Sequence, residues 1–221
     1  MQAQFLSILN RSDCSTDLAQ TFITQALTQI EREARLPCME RVLEVTASPT
    51  ASMGYITIPA DFLQPIDLMV QSASGSYWAQ PSFTSADTWF PLTHKTYRQL
   101  LAISQWNPPS AYGRQGGQFF IAGAVPPNVA VRLFYYGQFT PITDPTVGNE
   151  ATASIPDLVI YKALGSYAAP YFQHDQGPLW EQTYQNLLQS AQLLAEDADA
   201  HGGPMVMAPT HFGDDGMGNW Y

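Results

Sequence analysis

Residues 154–172 read SIPDLVIYKALGSYAAPYF. Pro156 is preset for a first helical turn, and Asp157 stands where a carboxylate favours the positive end of the helix dipole, so a helix is predicted to start here. Its apolar residues do not form a single stripe. Leu158, Val159, Ile160, Tyr161, Ala163, Leu164, Tyr167, Ala168, Ala169, Tyr171 and Phe172 run round the whole cylinder and leave Lys162 and Ser166 for water. A helix that is apolar on most faces is buried on most faces, inside a large protein, a membrane or an assembly.

Working outward, a second helix is expected from about residue 178 to 200, with Leu179, Trp180, Tyr184, Leu187, Leu188, Ala191, Leu194 and Ala195 on one face, paired antiparallel with its predecessor. Residues 16–35, TDLAQTFITQALTQIEREAR, have the spacing of an amphipathic helix, capped by Ser15 or Thr16 and ended by Leu36-Pro37. Between these helices the texture is β-prone. Short runs fill residues 42–83, and GGQFFIAG (116–123) with VAVRLFYYGQF (129–139) reads as a hairpin turned at Pro126-Pro127-Asn128. A weaker helix is expected between Ala86 and Ser104. Residues 201–221 show neither period and contain five glycines.

No window reaches the roughly 18 apolar residues of a membrane span, and Met1 to Asn10 lacks the basic flank of a signal peptide. Cys14 and Cys38 are the only cysteines, so reduced thiols and synthesis in a cytosol are expected. Only 13 % of residues are charged, about half the usual share, which suits a surface in permanent contact with other subunits. The net charge of −10, with only Arg32, Arg35 and Arg41 clustered among the basic residues, argues against stable DNA binding, although like charge suits a wall past which DNA slides.

Signals for catalysis are weak. His94, His174, His201 and His211 are scattered, and His201 and His211 near Asp214 and Asp215 have no ligand-like spacing. Cys38 has no histidine placed beside it by sequence. Gly113, Gly116 and Gly117 precede a strand, which is the wrong order for a phosphate loop. Asp61, Asp67 and Asp87 would need to converge in a pocket to serve a hydrolase, and Asp61 reads better as a turn residue bonding local backbone. Phe134, Tyr135 and Tyr136 read as a strand buried on both sides, ahead of a stacking platform for sugars or bases. The expectation is no catalytic residue, no metal and no cofactor.

Three stretches together carry a resemblance: Ile56-Thr57-Ile58-Pro59-Ala60-Asp61-Phe62, the run 116–136 ending in Phe134-Tyr135-Tyr136, and Pro156-Asp157-Leu158 followed by Trp180 and Tyr184. In this order, across residues 16–200, the chain resembles the head-to-tail connector, or adaptor, proteins of tailed bacteriophages. The resemblance implies a virion neck protein, made in the host cytoplasm, that forms a ring, usually twelve-fold, below the portal protein. Such a ring extends the DNA channel, lets genomic DNA pass without specific binding, and offers a docking surface for a tail or nozzle protein. The fold expected is α+β, a small helical bundle of an N-terminal helix and two long C-terminal helices with an inserted antiparallel β-rich region and an extended C-terminal arm. Its parts would be residues 1–40 with 154–200 as helical connector core, 41–153 as β-rich insertion, and 201–221 as an arm gripping the portal through Phe212, Trp220 and Tyr221. Tyr161, Tyr167, Tyr171 and Phe172 would face neighbouring subunits. A tail-completion or head-decoration protein is the alternative structural reading, and a carboxylate-dependent hydrolase a distant one.

Overall fold

The computed structural model describes residues 1–49, 53–71, 89–103, 107–123, 125, 129–142 and 148–200, the side chains of 196–200 excepted. Helices α1 (Gln2–Leu9) and α2 (Thr16–Glu33) open the chain. The Ser15 hydroxyl accepts from Leu18 N–H and so satisfies one of the free donors at the start of α2. α1 lacks long periodicity and is not evident in the sequence; it is held because Phe5 and Leu9 are fully buried against α2.

Nine strands follow among the described residues: β1 (Glu40–Thr46), β2 (Ser48–Pro49), β3 (Met53–Thr57), β4 (Phe62–Gln71), β5 (Trp89–Pro91), β6 (Thr93–His94), β7 (Ala111–Gln115), β8 (Gln118–Ala122) and β9 (Ala130–Gly137). They make a four-stranded sheet in the order β1-β9-β4-β5 and a five-stranded sheet in the order β2-β3-β8-β7-β6. Leu68, Val70, Val131, Leu133 and Tyr135 of the first sheet bury themselves against Ile56, Tyr112, Phe119 and Ile121 of the second. The result is a sandwich with its own core. The expectation of a small helical bundle carrying a β-rich insertion is therefore overturned: the molecule is α+β, with two packed sheets beside the helices. Short β-prone runs were legible in the sequence, but their sum into a two-layer core depends on pairings between distant strands.

The expected β8–β9 hairpin is also overturned. β8 pairs with β3 and β7, whereas β9 pairs with β1 and β4 in the other sheet. The segment between them is a crossover from one sheet to the other. The true hairpin is β7–β8, closed at Gly116 and Gly117 with Gln115 opposite Gln118, and Gly116 supplies the positive φ that the tight turn needs. Ala86 and Ser104, the limits of a further expected helix, lie outside the described residues; among those described between them the helix is a single turn, α3 (Tyr97–Leu100), while β5 and β6 occupy Trp89–Pro91 and Thr93–His94. Pro65 sits inside β4 beside a register shift, where β5 does not reach it and no ladder N–H is required of it.

After β9 come α4 (Glu150–Ser154), α5 (Pro156–Lys162), a π-helical stretch Ala163–Ala168, α6 (Ala169–Phe172) and α7 (Gly177–Ala200). The wide turn has a local cause. Pro170 has no N–H for the Ser166 carbonyl and its ring crowds that carbonyl, so the preceding turn opens and Ala169 N–H bonds to Leu164 O. Gln173, with φ 52°, ends α6 in the left-handed conformation. Facing pairs then set the packing. Lys162 meets Tyr184, Gly165 lies against Glu181 and Ala169 against Gly177, so α7 runs antiparallel to α5 and α6. Phe172 meets Phe22 and Tyr167 meets Gln29, so α2 is antiparallel to them too.

Candidate assembly surfaces

The apolar cylinder that begins at Pro156 finds its cover within its own chain. Leu158, Val159, Ile160, Ala163, Leu164 and Ala168 are buried between α2, α7 and α1. Of the residues expected to face other subunits, Tyr161, Tyr167 and Phe172 are half-buried and only Tyr171 is exposed, at 63 %. Tyr171 and Phe172 both pack edge-on against Phe22, and the Arg11 guanidinium lies 4.8 Å above the Phe172 ring. Tyr167 donates to Gln29 Oε1 at 2.8 Å and helps to line an open groove of about 590 Å³ with Thr24, Gln25, Thr28, Arg32 and Glu33. On α7, Trp180 and Tyr184 are buried, while Leu179, Leu193 and Leu194 are exposed. The expected single apolar face is thus only partly used. Its pairing register brings Ala191 level with the start of α5, and Leu194 lies past it.

Lys162 corrects the sequence reading. It is 2 % exposed, not left for water, and its Nζ is 3.1 Å from Glu33 Oε2, 3.8 Å from Glu181 Oε1 and 4.2 Å from the centre of the Tyr184 ring. Tyr184 donates its hydroxyl to Glu33 Oε2 at 2.7 Å, and Ser166 donates to Glu181 at 3.0 Å. Burial opposes ionisation of Glu33, yet the bonds from Tyr184 and Lys162 prevail and hold its carboxyl below the usual range. Burial and the Glu33 carboxylate push the Tyr184 phenol far up. The knot ties α2, α5 and α7 at one level. One signal could have found it: a lone lysine on a helix apolar all round must be buried with its cylinder, and a buried cation needs a carboxylate partner.

A second knot joins the helices to the sheets. Arg41 Nη2 lies 2.8 Å from Glu150 Oε1, and its Nε lies 3.6 Å from Asp61 Oδ2. Tyr135 donates to both Asp61 oxygens, and Thr140 donates to Glu150 through its N–H and its hydroxyl. The Asp61 carboxylate thus serves distant side chains, not the local backbone that the sequence suggested. Burial works against the charged form of Glu150, but its hydrogen bonds, from the start of α4, Arg41 and Thr140, bring its carboxyl down to about 2. Its folded value is below its unfolded one, so its stabilisation is complete above the ordinary value and lost as pH falls toward the folded one. The unfolding midpoint should drop steeply between about pH 4.5 and 2.5, and Glu150→Gln should flatten that part of the curve; an unchanged slope refutes the assignment.

The residues weighed for catalysis do not come together. Asp61 is engaged as above, Asp67 accepts from the N–H of Leu68, and Asp87 lies outside the described residues, as do His201, His211, Asp214 and Asp215. His94 packs on Tyr112 and His174 on Trp180. Cys14 is buried, Cys38 half-buried, both are free thiols, and burial pushes both thiols up, away from the reactive thiolate. No group of three or more His, Cys, Asp or Glu suited to a metal occurs among the described residues. Of the aromatic run, Tyr135 is inside the sandwich, and Phe134 and Tyr136 are half-buried on the opposite face, so the strand is fully covered on one side only. Phe212, Trp220 and Tyr221 fall outside the described residues.

Among the described residues no helix is long and apolar enough to cross a membrane. No curated protein matches the chain. A family model does, the one described as SU10 adaptor protein, over residues 1–208. The match takes in the helices, both sheets and the two knots together, and the chain belongs to this family of structural phage adaptors that join head to tail.

Proposed function

We propose that the protein acts in the virion neck as one subunit of a closed ring beneath the portal, extending the DNA channel and giving the tail or nozzle protein a surface to dock on. Family membership over nearly the whole chain carries this reading, since it implies contact with portal and tail proteins. In it, residues 1–40 with 154–200 form the connector core, residues 41–153 the β-rich part, and residues 201–221 an arm whose anchors on the portal are Phe212, Trp220 and Tyr221. Tyr161, Tyr167, Tyr171 and Phe172 lie toward the neighbouring subunit, with Tyr171 the most available of them. The exposed leucines of α7 support a head-to-tail contact, because a ring needs two different surfaces on each subunit. The net charge of −10 keeps passing DNA from sticking to the bore.

Native mass of the chain, alone and mixed with the portal protein of the same genome, tests the reading. A defined complex with about one chain per portal subunit is expected, as a closed ring matched to the portal requires. Removing residues 201–221 should abolish that complex while leaving the unfolding midpoint in place. Full attachment by the truncated chain would sink the arm, and failure of the intact chain to bind would favour a tail-completion or head-decoration role.

A further inference from the structure

The sheet edges differ in how they are protected. β2, β5 and β6 are edge strands of two or three residues, and Pro49 and Pro91 interrupt two of them. β1 is also an edge strand, but it has 7 residues in unbroken register with β9, from Glu40 opposite Tyr136 to Thr46 opposite Ala130. It has no proline, lysine or bulge to turn away another strand. Ala47 N–H bonds to Val129 O in the same register, so the odd-numbered residues of β1 spend their backbone groups on β9. The N–H and C=O groups of Val42 and Glu44 therefore point to the edge that no described strand pairs with.

The side chains describe what would fit there. Leu43 and Val45 face the sandwich core yet stay half-buried, because no described strand covers their outer flank. On the other face Val42 is 60 % exposed between the exposed Glu40 and Glu44; Glu44 already takes Arg132 of β9 on its Oε2 at 2.8 Å but keeps its side chain 54 % exposed, so Glu40 is the freer of the two carboxylates. We propose that β1 accepts an extended segment of a different, basic protein as a further antiparallel strand. That segment has apolar residues beside Leu43 and Val45 and Lys or Arg opposite Glu40 and Glu44, where opposite charges across strands attract. A second copy of β1 fits poorly, since it sets the glutamates of both copies at diagonal positions on chains of net charge −10. The edge stands on its own geometry; naming a portal or tail protein as donor rests on the neck reading.

Amide hydrogen exchange of the full chain, followed by NMR, tests this with a synthetic peptide, acetyl-Val-Lys-Val-Thr-Thr-Lys-Thr-amide, whose lysines fall opposite Glu44 and Glu40 and whose valines fall opposite Val45 and Leu43 in an antiparallel pairing. The peptide should slow exchange at Val42 and Glu44 by about tenfold or more while leaving Leu43 and Val45, already in the ladder, little changed. Val42→Pro removes an outward N–H without touching the β9 bonds and should abolish the effect; Glu40→Lys, which spares the backbone, should weaken peptide binding severalfold. Equal exchange with and without peptide, or undiminished binding by Glu40→Lys, overturns the proposal. So does protection of Val42 in the chain alone at high concentration, which would make the occupant a second copy. With the portal and tail proteins of the same genome, a complex that leaves Val42 and Glu44 unprotected overturns the edge as their contact and leaves the adaptor reading intact. If neither protein binds, the adaptor reading fails, and the peptide result alone decides the edge.

Discussion

Replacing Glu33 by leucine should destabilise the protein by about 3 kcal/mol, and replacing Lys162 by methionine by about 1 kcal/mol or less. The asymmetry follows from where each charge can go. The Lys162 side chain is 3 % exposed, whereas those of Glu33 and Glu181 are 35 % and 38 % exposed. Without Glu33 the buried ammonium keeps only Glu181, at 3.8 Å, and the Tyr184 hydroxyl loses its acceptor. Without the ammonium, both carboxylates still reach water, and methionine keeps most of the buried stem in place. Lys162→Ala removes that stem too and should cost about 3 kcal/mol through the cavity it opens. Urea unfolding of the three variants checks the order. If Lys162→Met proves as damaging as Glu33→Leu, the knot is a net electrostatic stabiliser and the desolvation argument is wrong.

The second large effect is expected at Gly123. Its φ is +110°, in a region that residues with a side chain avoid, and an added Cβ would stand 2.7 Å from the carbonyl oxygens of both Asn107 and Pro108. Strain and backbone overlap act together, so Gly123→Ala should cost about 3 kcal/mol or more. Gly116→Ala is the matched control. Gly116 also has positive φ, at +58°, but a Cβ there meets nothing within 4 Å, so its cost is the conformational penalty alone, about 1 kcal/mol. Gly123 directly follows β8, where the chain leaves one sheet for the other, and its variant should show lost β-sheet signal in circular dichroism at temperatures where the Gly116 variant is still folded. Equal melting temperatures for the two variants would show that the Asn107–Pro108 segment yields and does not hold the crossover.

Several features were determined by the sequence alone. The spacing of Leu18, Phe22, Ile23, Ala26, Leu27 and Ile30 imposes α2, and Ser15 caps it. The all-round apolar run after Pro156 demands a helix covered on most sides, and the structure covers it. The order of the Ile-Pro-Ala-Asp-Phe turn, the Gly-rich strand entry and the Pro-Asp-Leu helix carried the family. These are local signals, in which periodicity reports which face of an element is buried.

Periodicity does not report what buries it. Phe119 and Leu133 look alike as strand residues on either side of a proline turn, and only the pairing of β8 with β3 and of β9 with β1 and β4 puts them in separate sheets that face one another. Lys162 looks like a solvent residue because its partner Glu33 lies 129 positions away, and a charge stays buried only where such a partner arrives. The edge of β1 is likewise a property of sheet order: the same seven residues in a central strand would have no free backbone groups. Hydrogen bonds and ion pairs between distant segments are satisfied or left open only when the chain closes on itself, and so the tertiary structure decided the sandwich, the buried knot and the open edge.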